Sequence, residues 1–203
     1  MPLRAFDRPL ILLGAGGHGR VVAELVTACG GTLLGVCDPS LAEQGTLEWH
    51  GLPVLGGDEY LENVKPGEVL LLNGIGMMPG SEVRRSVFQR LSQSGFEFPV
   101  LVHRAAWVAG SVILEPGVQV MAGAVLQPGV TVGSNSIINT GSSVDHDSVI
   151  GQHCHIAPGV TLCGDVEVGN HVFVGAGATL IQGVVLGPDV FVKAGKVITR
   201  NVV

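Results

Sequence analysis

The chain has 203 residues, with 11 Lys and Arg against 17 Asp and Glu and a formal charge of −6. It carries no basic run, which argues against a nucleic-acid backbone as a partner, and no stretch approaches ~20 uninterrupted apolar residues, so no membrane span is predicted. Glycine is abundant (31) and aromatic residues are few (4%), which suits tight corners that recur often around a thin aliphatic interior.

The N-terminus, MPLRAFDRPLILLGAGG, has a basic residue before an apolar run but passes directly into a glycine loop. It reads as a first strand and not as a signal peptide. PLILLG feeds AGG and then a helix, HGRVVAELVTACGG. A second strand, TLLGVCD, ends at Asp38. The run GEVLLLNGIG (67–76) is a third, followed by a helix from about Ser81 that Gly95 stops, and FPVLVH (98–103) reads as a last strand leading into the repeat described below. Strands and helices alternating at this length predict a small α/β unit with a Rossmann-like parallel sheet.

Gly14, Gly16 and Gly19 spell G-x-G-x-x-G between a strand and a helix, and Asp38 follows some two dozen residues on. Physically this exposes backbone N–H groups and a helix N-terminus to an anion. NAD, a nucleotide-sugar diphosphate and a plain structural turn all satisfy that statement. The segment before the repeat described below spans only one mononucleotide half, which weighs against NAD. His18 lies inside the loop, within reach of a bound phosphate or simply of solvent. Cys29, Cys37, Cys154 and Cys163 have no C-x-x-C spacing and read as reduced filler in a cytoplasmic protein.

From Val108 to Ile198 every sixth residue is Val, Leu or Ile, sixteen times in sixteen sextets without an insertion. The fifth position of each sextet is Val, Ala, Ser or Cys except at Lys196. One bulky apolar residue per six cannot be buried by its own unit, so the units must stack into a continuous core. This predicts a parallel β-helix of hexapeptide repeats, and domains at 1–104 and 105–203. His146 is third in its sextet, within NTGSSVDHDSVIG, so it projects from a corner between Asp145 and Asp147. His155 is sixth in its sextet and also faces outward. An outward imidazole beside carboxylates is equipped for general-base work, since the carboxylate fixes the tautomer and the pKa lies near neutrality. A solvated corner histidine is the plain alternative.

Both halves in this order resemble the sugar acyltransferases typified by bacillosamine-pathway N-acetyltransferases and sialic acid O-acetyltransferases. The likeness is carried by LILLGAGGHGRVVAELV, the NGIG run, LVHRAAWVAGSV, INTGSSVDHDSVIGQHCHIAPGVTLCGDVEVG and VFVGAGATLIQGV. The hexapeptide pattern alone is widely shared; the G-x-G-G-H-G loop joined to an NT…DHD segment is far more specific. The resemblance implies a left-handed β-helix with three sextets per coil, a homotrimer, and acetyl-CoA in the groove between adjacent prisms. On that grid His153 and His171 stack at one corner, and Asp147 and Asp165 at another. It further implies His146 as general base and Asp147 as the carboxylate orienting it. His155, Gly164, Phe173 and Ala176 would line the acetyl-CoA path. Gly14, Gly16, Gly17 and His18 would hold the phosphates of a sugar nucleotide, with Asp38 and Gly76 towards its base. The family usually continues past the last coil into a proline-led tail, whereas this chain stops at TRNVV, so no C-terminal contact with CoA is carried over.

The implied reaction is direct acetyl transfer from acetyl-CoA to the 4-amino group of a nucleotide-linked deoxysugar. O-acetylation of sialic acid or a similar polyol is the rival within enzymes. The rival of another class is a non-catalytic or metal-binding hexapeptide protein. His146, His153, His155 and His171 could offer imidazoles to zinc, as between subunits of the γ-class carbonic anhydrases, but no two have a recurrent ligand spacing and no metal is expected.

Overall fold

In the computed structural model, which describes residues 6–203, the chain folds as two units that part between Pro99 and Val100. The first contains β1 (Leu10–Leu13), α1 (Gly17–Ala28), β2 (Leu33–Cys37), a short α2 (Pro39–Glu43), β3 (Glu48–Trp49), β4 (Leu52–Gly56), β5 (Leu70–Asn73) and α3 (Val83–Gln93). The sheet order is β3-β4-β2-β1-β5, parallel throughout except for β3 against β4. Chain order therefore reverses across β1, with β2 on one side and β5 on the other. That switch point leaves a crevice at the carboxyl ends of β1 and β5, where the glycine loop and the NGIG run emerge.

β1 and β5 are wholly buried, as strands covered on both faces are. Ile11, Leu13 and Leu71 pack with Phe88 and Leu91 of α3 and with Phe96 and Phe98, while α1 buries Val22, Leu25 and Val26. β4 was not foreseen, because Pro53 disfavours a strand; it survives by hydrogen bonding outside β2. FPVLVH leads into the repeat, as its sequence suggests. Glu97 bridges to Leu70, but Leu101–Val102 pairs with Gln119–Val120 and is the first rung of the second unit.

The second unit, Val100–Val203, is a left-handed parallel β-helix. Two-residue strands form sheets of six, five and six, each strand pairing with those 18 residues away, as Val125 with Ser143, Thr131 with Val149 and Ile137 with His155. Three sextets thus make one coil. One face holds Trp107–Val108, Ser143–Val144 and Thr161–Leu162; the next holds Ile113–Leu114 and Val149–Ile150; the third holds Leu101–Val102, His155–Ile156, Phe173–Val174 and Phe191–Val192. The first-position aliphatics fill the interior from Val120 to Val192.

Two rules govern the corners. From Gly117 to Gly195 every fourth position of a sextet has positive φ: eight glycines together with Asn135, Asp147, His153, Asp165, His171 and Asp189. This conformation costs a side chain energy unless the residue is glycine or a short polar one, and it accounts for the glycine content. The fifth position points inward, and its polar members are satisfied there. Ser136, Ser148 and Cys154 each donate to the carbonyl fifteen residues on, of Gly151, Cys163 and Gly169, at 2.8, 3.2 and 3.0 Å. Cys154 is therefore core, and burial pushes its thiol up to about 12.

Candidate active site

In the first unit the crevice is built from the loop after β1. Gly14, with φ +90°, turns the chain so that its N–H donates to Cys37 and its carbonyl lies under α1. A Cβ at Gly19 would stand 2.3 Å from that carbonyl, so only glycine lets the helix approach. Gly16 caps α1 with no side-chain hydrogen bond, the first turn contains no acid, and Gly16 and Gly17 are exposed with open space where a Cβ would be. An anion at that end would meet uncompensated N–H groups. Gly76 lies across the crevice, 3.4 Å from the Cβ of His18 when a Cβ is built on it. Gly14, Gly16, Gly17, His18 and Gly76 are thus gathered at one site.

Asp38 reaches the same loop from behind. Its Oδ2 accepts from the Ala15 N–H at 2.8 Å and its Oδ1 from the Leu41 N–H at 3.1 Å, where it caps α2. The acid that a dinucleotide fold would present to a ribose is here committed to bracing the glycine loop, which removes the main support for NAD.

In the second unit His146 and Asp147 stand on the corner between the first two faces, roughly half and two-thirds exposed. Nδ1 of His146 donates to Oδ2 of Asp147 at 3.0 Å. A carboxylate only accepts, so the neutral ring carries its proton on Nδ1 and keeps the Nε2 lone pair for an incoming proton. The Asp147 hydrogen bond, helped by the charges of Asp145, Asp147 and Asp165, holds the imidazole pKa above its ordinary value although partial desolvation opposes this. Asp145 also accepts from the His146 N–H at 2.8 Å.

The 18-residue register explains the room for this pair. Gly164 lies one coil beyond His146, and a Cβ there would be 2.6 Å from Nε2 and Cε1; Gly129 lies one coil before Asp147, and a Cβ there would be 2.4 Å from Oδ1. Gly164 therefore packs directly against the imidazole. Gly129 was not singled out from the sequence, although stepping 18 residues back from Asp147 lands on it.

His155 and Phe173 belong to the third face, ring centroids 4.8 Å apart, with Phe191 continuing the ladder at 5.7 Å. Asn139 Nδ2 donates to His155 Nε2 at 3.0 Å, while Asn139 Oδ1 accepts from the Thr140 N–H at 2.7 Å. The second bond fixes the amide's orientation, so the Nε2 of His155 is the acceptor and Nδ1 bears the proton. Ala176 is exposed at the corner that follows this face. Within one protomer the third face lies opposite the corner of His146, so His155, Phe173 and Ala176 are not brought to His146 and Gly164. His153 and His171 stack at the remaining corner, centroids 5.5 Å apart, with His153 beside Asn135 and His171 beside Asp189. Among the described residues no group of three His, Cys, Asp or Glu is arranged to hold a metal, and no helix is long and apolar enough to cross a membrane.

Residues 9–91 match the PglD N-terminal domain family, and 111–146, 147–182 and 165–200 match the bacterial transferase hexapeptide family of six repeats. Over 113 residues the chain is 34% identical to the UDP-N-acetylbacillosamine N-acetyltransferase of Bacillus subtilis (strain 168); the match takes in 55% of this chain and spans half the length of that relative. The acetyltransferase domain of PglB from Neisseria gonorrhoeae FA1090 superimposes with a TM-score of 0.88 at 34% identity, covering 97% of this chain and 94% of that one. PerB from Caulobacter crescentus, solved in complex with CoA and GDP-perosamine, superimposes with a TM-score of 0.87 at 34% identity, covering 98% and 92%.

Proposed function

This chain belongs to the family of hexapeptide acetyltransferases with a PglD-type N-terminal domain, and on that premise we propose that it transfers acetyl from acetyl-CoA to the 4-amino group of a nucleotide-linked deoxysugar. PerB was solved with CoA and GDP-perosamine bound, a donor product and a nucleotide amino sugar together. The crevice at the carboxyl ends of β1 and β5 takes the nucleotide sugar, its phosphates on Gly14, Gly16, Gly17 and His18. Gly76 and the Asp38 end of β2 flank the base. Acetyl-CoA lies along His155, Phe173 and Ala176 of one protomer. It meets His146, Asp147 and Gly164 of a neighbour in a homotrimer. The opposition of the third face to the His146 corner supports this assembly, because one prism cannot bring both sets to one thioester. Acetyl-CoA as donor and cysteines at 29, 37, 154 and 163 that are in no disulfide fit a cytoplasmic enzyme.

The neutral 4-amine attacks the thioester carbonyl as its proton passes to Nε2 of His146. The tetrahedral intermediate expels the CoA thiolate, and the imidazolium returns the proton to sulfur. Bound geometry makes the attack effectively intramolecular, so no enzyme nucleophile is required. The observation that carries this reading is the His146–Asp147 hydrogen bond, which leaves Nε2 as the basic nitrogen of a half-exposed ring. The test is thiol release from acetyl-CoA with UDP- and GDP-linked 4-amino sugars and with sialic acid as acceptors. Release with an amino sugar nucleotide and formation of an amide is expected. Turnover of sialic acid alone, or of none of these acceptors, overturns the proposal.

A further inference from the structure

Arg84, in the first turn of α3, is 3% exposed, and its guanidinium lies against the backbone that follows β5. Nη1 donates to the carbonyls of Asn73 and Ile75 at 2.8 and 2.7 Å. The Asn73 side chain answers in the other direction: Nδ2 donates to the Arg84 carbonyl at 3.0 Å and Oδ1 accepts from the Ile75 N–H at 3.2 Å. The NGIG segment is thereby tied to α3 from both its side chain and its backbone. That segment in turn forms the wall opposite the glycine loop. The Gly74 N–H donates to Leu13 at 2.8 Å, and a Cβ at Gly14 would stand 2.9 Å from Cγ1 of Ile75.

Burying an arginine against main-chain carbonyls is costly, and a fold seeking only a brace would use a neutral side chain. Desolvation pulls this guanidinium down to about 9, so it still carries its charge at neutral pH. In a low-dielectric setting that charge acts over several ångströms on whatever occupies the crevice. We infer that Arg84 is a positioning residue for the nucleotide diphosphate: it holds Asn73–Gly76 against the glycine loop and biases the crevice towards a phosphate-bearing acceptor. This rests on the proposed nucleotide-sugar reading and adds to it a residue outside the glycine fingerprint.

The test compares wild type with Arg84→Met, which keeps the length of the side chain but removes its charge and both hydrogen bonds to the Asn73 and Ile75 carbonyls, and with Asn73→Ala, which releases the loop from the other side. Each variant is first shown to be folded by circular dichroism, and calorimetry with UDP and GDP measures binding without depending on turnover. Tighter binding of the preferred diphosphate by wild type, weakened about tenfold or more in the variants, is expected. KM for the nucleotide sugar should rise in parallel, while KM for acetyl-CoA stays within about twofold and kcat is largely retained. Equal diphosphate affinity in a folded variant, or a fall in kcat with both KM values unchanged, overturns the inference, as does a wild type that binds neither diphosphate. Diphosphate binding without acetyl transfer would instead strike the acetyltransferase reading and leave the role of Arg84 standing.

Discussion

Asp147 occupies one of the positive-φ corners that glycine usually takes in this coil, at φ +59°, and its carboxylate faces His146. A short acid tolerates this conformation better than most side chains, so the corner supplies a carboxylate at the cost of modest backbone strain. The sign of the pH effect follows. His146 accepts a proton only when neutral, and Asp147 is the first cause of its raised pKa, so activity should climb as pH rises through a value above 6.5. In Asp147→Asn that rising limb should move to lower pH, and the plateau of kcat should drop by about 10²-fold or more because the amide no longer secures the tautomer; a pH–kcat profile measures both. Gly164 gives a second expectation. Its φ is not in the left-handed region, so alanine suits the backbone, yet a Cβ would lie 2.6 Å from the imidazole. Gly164→Ala should keep its melting temperature within a few degrees while kcat falls by about tenfold to a hundredfold.

At the scale of the element, each coil is a near-copy of the next and contacts only its neighbours, so stability is close to a sum of local terms. Ile156 is fully buried in mid-stack, whereas Ile198 in the last rung is only partly covered. Ile156→Ala should cost about 2–5 kcal/mol by chemical denaturation and Ile198→Ala distinctly less. The same regularity made the β-helix readable in the sequence. A six-residue period needs no knowledge of long-range contacts, and Cys154 could be placed in the core from its fifth position alone. The α/β unit was less transparent. β4 was hidden by Pro53, and FPVLVH could be read as a strand but not paired, because an apolar hexapeptide carries no sign of its hydrogen-bonding partner. The DHD corner was visible as a chemical motif, but Gly129 and Gly164 become its neighbours only once the chain is wound 18 residues to the coil. Arg84 lay beyond sequence reasoning, since a helical arginine ordinarily faces water.

At the scale of the whole molecule, the division of labour follows from what each unit can build. A doubly covered parallel sheet offers a crevice of backbone N–H groups at its switch point, suited to phosphates. A β-helix offers rigid corners on which a side chain is fixed by the register of its coil, suited to a base that must stay aligned. The central claim rests on one atom, Nε2 of His146. Its most direct test is the steady-state rate of thiol release by His146→Ala on the preferred nucleotide amino sugar. The account predicts a fall in kcat of about 10²–10⁴-fold with diphosphate binding and folding intact; a variant that turns over at the wild-type rate would contradict it.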